Sequence, residues 1–277
     1  MMKKEKKNKT NKAPFYTNKT TLTVYLLLRA LVILTLVRVA LRRDFESVFI
    51  CGLTLGLMVL PSAFSRRLKV ELPGTLEVII LLFIFAAEIL GEINSFYIRV
   101  PNWDTVLHTL NGFLCAAIGF ALVDLLNRSE MFSFKLSPVY LAIVAFCFSM
   151  TVGVLWEFFE YSGDRFLGFD MQKDTILHSI STVELDETRS NKVVRIDDIA
   201  DVIIVHSDGS QEALGLGGYL DVGIHDTMKD LMVNFVGALV FSIVGYFYVK
   251  EKGKGRFAAR FIPRVLRFDD AKHEQKE

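Results

Sequence analysis

The sequence predicts an all-α polytopic membrane protein of about six transmembrane helices, with a small extracytoplasmic β-rich insertion between helices 5 and 6. Three observations predict it. Of the 277 residues 52% are hydrophobic, and the mean hydropathy is +0.37, which is not a soluble composition. Six runs approach the roughly 20 apolar helical residues that a bilayer core requires. Between the last two runs the chain turns acidic and its patterning changes to short β-type stretches.

The first run, near 21 to 41, follows a basic tail (residues 1 to 20) with seven lysines and one acid and no small-residue cleavage signature, so an uncleaved helix is expected. Arg29 and Arg38 interrupt it. The second, 47 to 64, carries no charge, and its Gly52-xxx-Gly56 spacing predicts close helix packing. The third, 74 to 93, contains Glu77, Glu88 and Glu92. The fourth, 105 to 125, carries only His108 among charge-bearing residues before Asp124, and the fifth, 136 to 158, is uncharged to residue 156. The sixth, 228 to 249, is uncharged from 231 onward.

The tail from 250 to 277 holds nine basic residues against five acids. The positive-inside rule therefore predicts that both termini are cytoplasmic in the cell membrane, with Arg66, Arg67 and Lys69 inside and 161 to 225 outside. Arg42 and Arg43 then lie outside, against the rule. The resulting divisions are a cytoplasmic tail (1–20), helices 1 to 5 (21–160), an outer acidic loop (161–225), helix 6 (226–249) and a second cytoplasmic tail (250–277). The outer loop has twelve acids and five basic residues. Its runs STVEL, KVVRI and DVIIVHSDGSQEAL, with Asp208-Gly209 as a hairpin signal, predict a β insert over 176–217. So small a unit is expected to pack on the helix ends.

Charge and cysteines exclude other classes. With 32 basic and 31 acidic residues the net charge is +1, so there is no basic footprint for nucleic acid. Cys51, Cys115 and Cys147 all lie in apolar runs, which leaves neither a disulfide framework nor a paired-cysteine metal motif.

The polar residues gather at the helix ends assigned to the outside. Glu88 and Glu92 share a face at i, i+4, as do Asp104 and His108, with Asn111 one turn deeper; Glu157 and Glu160 close the fifth run at i, i+3, and Asp226, Asp230 and Asn234 follow one face of the sixth. A carboxylate facing lipid costs about 2.5 to 3.5 kcal/mol at a helix centre. These groups should face one another, water or a bound cation.

Each has a plainer reading beside the functional one. Asp104 and Asp226 fall where N-caps belong, Asp226 and Lys229 can pair at i, i+3, Glu88 and Glu92 can reach interfacial water, and a lone His108 can be a packing residue. Glu157 and Glu160 resist such readings, because they follow 21 uncharged residues. Arg38, Arg42 and Arg43 stand at the same depth, and a neutralising network with the acids is preferred to bidentate ligand binding.

The strings RVPNWDTVLHTLNG, WEFFEY, FLGFDMQKD and HDTMKDLMVNFVGA together resemble the uncharacterised YjdF-type family of bacterial inner-membrane proteins, and more remotely the VanZ-like proteins. The likeness covers about 75 to 175 and 218 to 247. It implies a polytopic membrane protein whose motifs fall on Arg99, Pro101, Asp104, His108, Gly112, Glu157, Glu160, Asp226, Thr227 and Asp230. It implies no biochemical activity; VanZ-like proteins are associated with glycopeptide tolerance. The β insert departs from the family pattern.

Three function classes follow. In the first, Asp104, His108, Glu157, Glu160, Asp226 and Asp230 hold a divalent metal ion, with Glu157, Glu160 and Asp230 as catalytic candidates acting on a lipid or cell-envelope substrate. Glu88, Glu92, Arg38, Arg99, Asn111 and Asn234 are then ligand or counter-ion groups. Mixed His and carboxylate ligands suit Zn, Mn or Fe. The second class is a non-catalytic membrane scaffold or envelope-stress accessory whose acids form a salt-bridged seam. The third is a proton or cation transporter. The bilayer is the expected partner in all three.

Overall fold

The computed structural model describes residues 19–68, 70–128, 136–251, 258–262 and 264–265. The tail over 1–18 and most of that over 252–277 lie outside these residues. The apolar runs become helices because, in lipid, backbone N–H and C=O groups must be satisfied within the segment. They are α1 (Lys19–Leu41), α2 (Phe45–Leu57), α3 (Leu60–Leu68), α4 (Gly74–Phe85), α5 (Phe96–Arg99), α6 (Trp103–Arg128), α7 (Pro138–Ser162) and α8 (Ile224–Lys250).

Local signals set several boundaries. Asp44 caps α2, accepting from Ser47 N at 3.1 Å and Ser47 Oγ at 2.6 Å. Ser137 caps α7 through Tyr140 N, and Pro138 occupies its first turn, where a missing N–H costs nothing. Asp104 and Asp226 are not caps. Their helices begin at Trp103 and Ile224, so both acids sit inside the first turn, free to point sideways into the bundle.

Five stretches are long and apolar enough to cross a membrane: Lys19–Leu41, Phe45–Arg67, Trp103–Asp124, Pro138–Leu167 and Ile224–Lys250. The six predicted spans are thereby reduced to five by this measure. The exception is 74 to 93, which is helical throughout but changes from α4 into a π-helix over Ala86–Ile93 and carries three glutamates.

Packing divides the helices into two groups. In the first, α6, α7 and α8 enclose Leu114, Phe120, Leu141, Ala145, Ala238 and Phe241, with Leu76 of α4 against them. Two glycines make the close approach of α6 and α8 possible. A Cβ on Gly112 would lie 2.1 Å from the Asn234 carbonyl oxygen, and one on Gly237 would lie 1.9 Å from that of Thr109. Ser149 of α7 donates to the Gly112 carbonyl at 2.7 Å. The second group packs Tyr25, Leu28 and Val32 of α1 with Cys51 of α2, Met58 and Leu81 of α4. Gly52 and Gly56 do not serve this packing. Nothing lies within 4 Å of a Cβ built on either, which corrects the expectation of a tight helix contact within the chain.

The acidic loop forms small antiparallel pairs. Strands β1 (Val70–Glu71) and β8 (Arg264–Val265) pair elsewhere in the chain; within the loop β2 (Ile176–Leu177) pairs with β7 (Tyr219–Leu220), β3 (Ile180–Thr182) with β4 (Val194–Ile196), and β5 (Ile203–Val205) with β6 (Gln211–Ala213). The Asp208-Gly209 turn forms as expected: Gly209 has φ +85°, and His206 N donates to Ser210 O at 2.9 Å. Between β3 and β4, the Asp186 carboxylate accepts from the backbone N–H groups of Thr188, Ser190 and Lys192 and from both hydroxyls. Those hydrogen bonds, led by the Thr188 hydroxyl, hold its carboxyl well below the usual range.

Packing of the insert on the helix ends is confined to its base. β5 and β6 are exposed along their whole length. At the base, Asp164 accepts from Met171 N and Gln172 N at 2.6 and 2.9 Å, and Asp221 accepts from Thr175 N at 2.7 Å. Lys173 N donates to Asp226 at 2.8 Å, and the Gln172 side chain donates to the Thr227 hydroxyl. The base is thus tied to the first turn of α8.

Candidate functional site

Antiparallel neighbours bring distant helix ends together: α6 and α8 begin where α7 finishes. His108 is at the centre of the resulting cluster. Its Nε2 is 3.4 Å from Asp104 Oδ1 on the preceding turn of α6 and 3.9 Å from Asp230 Oδ2 on α8; its Nδ1 is 3.8 Å from Glu157 Oε1 on α7. The side chains of His108, Glu157 and Asp230 are 12%, 5% and 2% exposed.

The burial leaves acceptors without donors. Asp104 Oδ2, Glu157 Oε2 and Asp230 Oδ1 are buried with no hydrogen-bond partner, which is costly for any carboxylate oxygen and most of all for a charged one. One atom each from Asp104, His108 and Asp230 lies within 4.8 Å of the others. A cation with bonds of about 2.1 Å separates its ligands by about 3 to 4.2 Å, so small side-chain rotations suffice to close the group on a metal ion.

A lysine neutralises part of this charge. Lys229 Nζ lies 3.5 Å from Asp226 Oδ1, 3.7 Å from Asp104 Oδ2 and 3.9 Å from Asp230 Oδ1. The sequence reading assigned the counter-charge to Arg38, Arg42 and Arg43 and missed this role. Those arginines are exposed, and among the described residues no ion pair joins them to the acids. The cue was present in Lys229 itself, which directly precedes Asp230 and follows Asp226 by three residues.

The site has a firm floor. Asn111 Nδ2 donates to Asn234 Oδ1 at 3.3 Å, and Asn234 Nδ2 reaches Met150 Sδ at 3.6 Å. A Cβ on Gly153 would come within 2.7 Å of that same Asn234 amide. Cys115 donates to Asn111, not to His108, so no thiol and imidazole dyad forms.

These geometries can be set beside known proteins. A sequence profile described as a predicted membrane protein family, DUF2238, matches residues 24–251. The chain belongs to the DUF2238 family. A relative from Thermotoga maritima, described as an uncharacterized protein, is 26% identical over 124 residues, 43% of this chain. The chain spans 62% of the length of that curated relative. No solved structure matches.

The remaining predicted residues of this DUF2238 protein form a rim or lie apart. Glu160 accepts from Trp156 Nε1 at 2.7 Å, a local pair that accounts for one of its oxygens. Glu88 and Glu92 sit on the π-helix, beside Tyr97, whose ring fills the space that a Cβ on Gly91 would need. Burial pushes the Tyr97 hydroxyl up from its ordinary value, and the Glu92, Asp104, Glu88 and Glu160 carboxylates add to the shift. Tyr97, absent from the sequence reading, thus packs against Gly91 of the π-helix that carries the rim glutamates. Arg99 is exposed, with no ion pair among the described residues.

Proposed function

We propose that this membrane protein holds a divalent cation between α6 and α8, with Asp104, His108 and Asp230 as ligands and Glu157 of α7 facing the other imidazole nitrogen, where it orients the ring. Glu160 and Asp226 belong to the rim, while Asn111 and Asn234 orient the floor. The observation that carries this reading is the convergence on one largely buried imidazole of three carboxylates, each of which also keeps a buried oxygen without a hydrogen-bond partner. The donor set, one nitrogen and carboxylate oxygens, suits Mn, Fe or Zn better than Ca. When bound, such an ion supplies Lewis-acid polarisation of an oxygen on a polar ligand; Glu157, Glu160 and Asp230 are the groups placed to move a proton there. A lipid or cell-envelope substrate fits a site at helix ends, where head groups lie.

The topology belongs to the same reading: the site and acidic insert face the outside of the cell membrane, and both chain ends face the cytoplasm. The motif likeness to YjdF-type and VanZ-like proteins agrees with an envelope role. A scaffold is the second reading, favoured by the three ion pairs of Lys229, which make a salt-bridged seam without any metal. Transport is disfavoured. Below Asn234 the buried polar side chains of α6 to α8 among the described residues thin to Ser149, Ser242 and Asp124, set among Phe120 and Phe241.

Elemental analysis of protein purified in detergent without chelator tests the proposal, beside a Glu157→Gln, Asp230→Asn double variant. Near-stoichiometric metal in the wild type and its loss in a folded variant are expected. Absence of metal from both proteins would leave the scaffold reading in its place.

A further inference from the structure

The charged groups of the cluster are graded by exposure. Asp230, Asp226 and Asp104 have side chains 2%, 12% and 25% exposed, whereas Lys229, which touches all three, is 46% exposed. The lysine thus covers the outer side of the carboxylates, between them and the open end of the bundle. Its ammonium lies 3.7 and 3.9 Å from Asp104 Oδ2 and Asp230 Oδ1, two of the oxygens left without hydrogen bonds. A cation on Asp104 and Asp230 would take up those carboxylates and repel the ammonium at close range.

We propose that Lys229 selects the outer ligand of the cation: an anion of the phosphate class, bridging the metal and the ammonium. This inference rests on the cation site proposed above. Without such an anion, Lys229 and the cation compete for the same two aspartates. With it, the negative oxygen satisfies both positive centres, because a flexible four-carbon stem lets the ammonium swing outward while it keeps Asp226 as a partner. Phosphate esters reach the site either as soluble molecules or as lipid head groups.

The test is Mn2+ binding by full-length protein, measured by electron paramagnetic resonance of the free ion, in wild type, Lys229→Met and Lys229→Arg. In detergent without phosphate, Lys229→Met should bind Mn2+ about 10-fold more tightly than wild type, and Lys229→Arg, which keeps the charge, should resemble wild type. Inorganic phosphate at millimolar concentration should raise wild-type affinity several-fold and leave Lys229→Met unchanged. If the rise appears instead in nanodiscs of phosphatidylglycerol and not of phosphatidylcholine, the source is a lipid head group. Equal Mn2+ binding by wild type and Lys229→Met, or no response to either phosphate source, overturns the inference but keeps the cation site. If no form binds Mn2+, both readings fall.

Discussion

Gly237 and Gly52 look alike in the sequence, each a glycine in an uncharged stretch of a helix, yet their surroundings are opposite. A methyl group at Gly237 meets the Thr109 carbonyl at 1.9 Å, and backbone cannot yield as a side-chain tip does. Gly237→Ala should therefore lower stability by about 2 kcal/mol or more. Gly52→Ala meets nothing within 4 Å and should stay within about 0.5 kcal/mol of wild type. Thermal unfolding in one detergent compares the two; equal losses would mean that α6 and α8 are not in backbone contact. The same contrast governs the acids. Asp104 and Asp226 could be caps by sequence position alone, and only their contacts, Asp104 with His108 and Asp226 with Lys173 N and Lys229, show what they meet. Lys229 was legible as the local partner of Asp226, but its contact with Asp104 joins positions 125 residues apart in the chain.

Helices 6 to 8 and the acidic insert illustrate what a single element can and cannot announce. The apolar runs and the Asp208-Gly209 hairpin were readable because periodicity and turn chemistry are local properties. Whether the insert supports the helices was not readable, since that depends on contacts at its base. β3 bonds to β4 and β5 to β6, and the ties to α8 come from Gln172 and Lys173. Replacing residues 178–218 with Asn-Gly should therefore preserve the β2 and β7 pairing and shift the melting temperature by no more than a few degrees. A large loss of monodisperse protein on size exclusion would show that the insert braces the helices after all. The third run is not among the five long apolar helices, and within it Glu88 and Glu92 lie where α4 becomes a π-helix, a widening often found at functional sites.

Across the whole molecule, the parity of the crossings is the decisive quantity. Six crossings place both termini on one side and the insert on the other; five place the termini on opposite sides. Reporter fusions at both ends, with thiol labelling of a cysteine introduced at Ser207 in a background lacking Cys51, Cys115 and Cys147, should find the termini inside and Ser207 outside. Termini on opposite sides would remove 74 to 93 from the crossings and with it the proposed placement of Glu88 and Glu92. The membrane class, the main helices, the short strand pairs of the acidic loop and the gathering of the acids at common helix ends were legible in the sequence alone, because hydropathy and charge act along the chain and need no partner. Tertiary structure decided which acids meet, that Lys229 instead of Arg38 neutralises them, and that Gly112 and Gly237, not Gly52 and Gly56, carry the tight packing. Those outcomes depend on the rotation and approach of α6, α7 and α8, which are set by side chains more than a hundred residues apart and leave no periodic trace in any one helix.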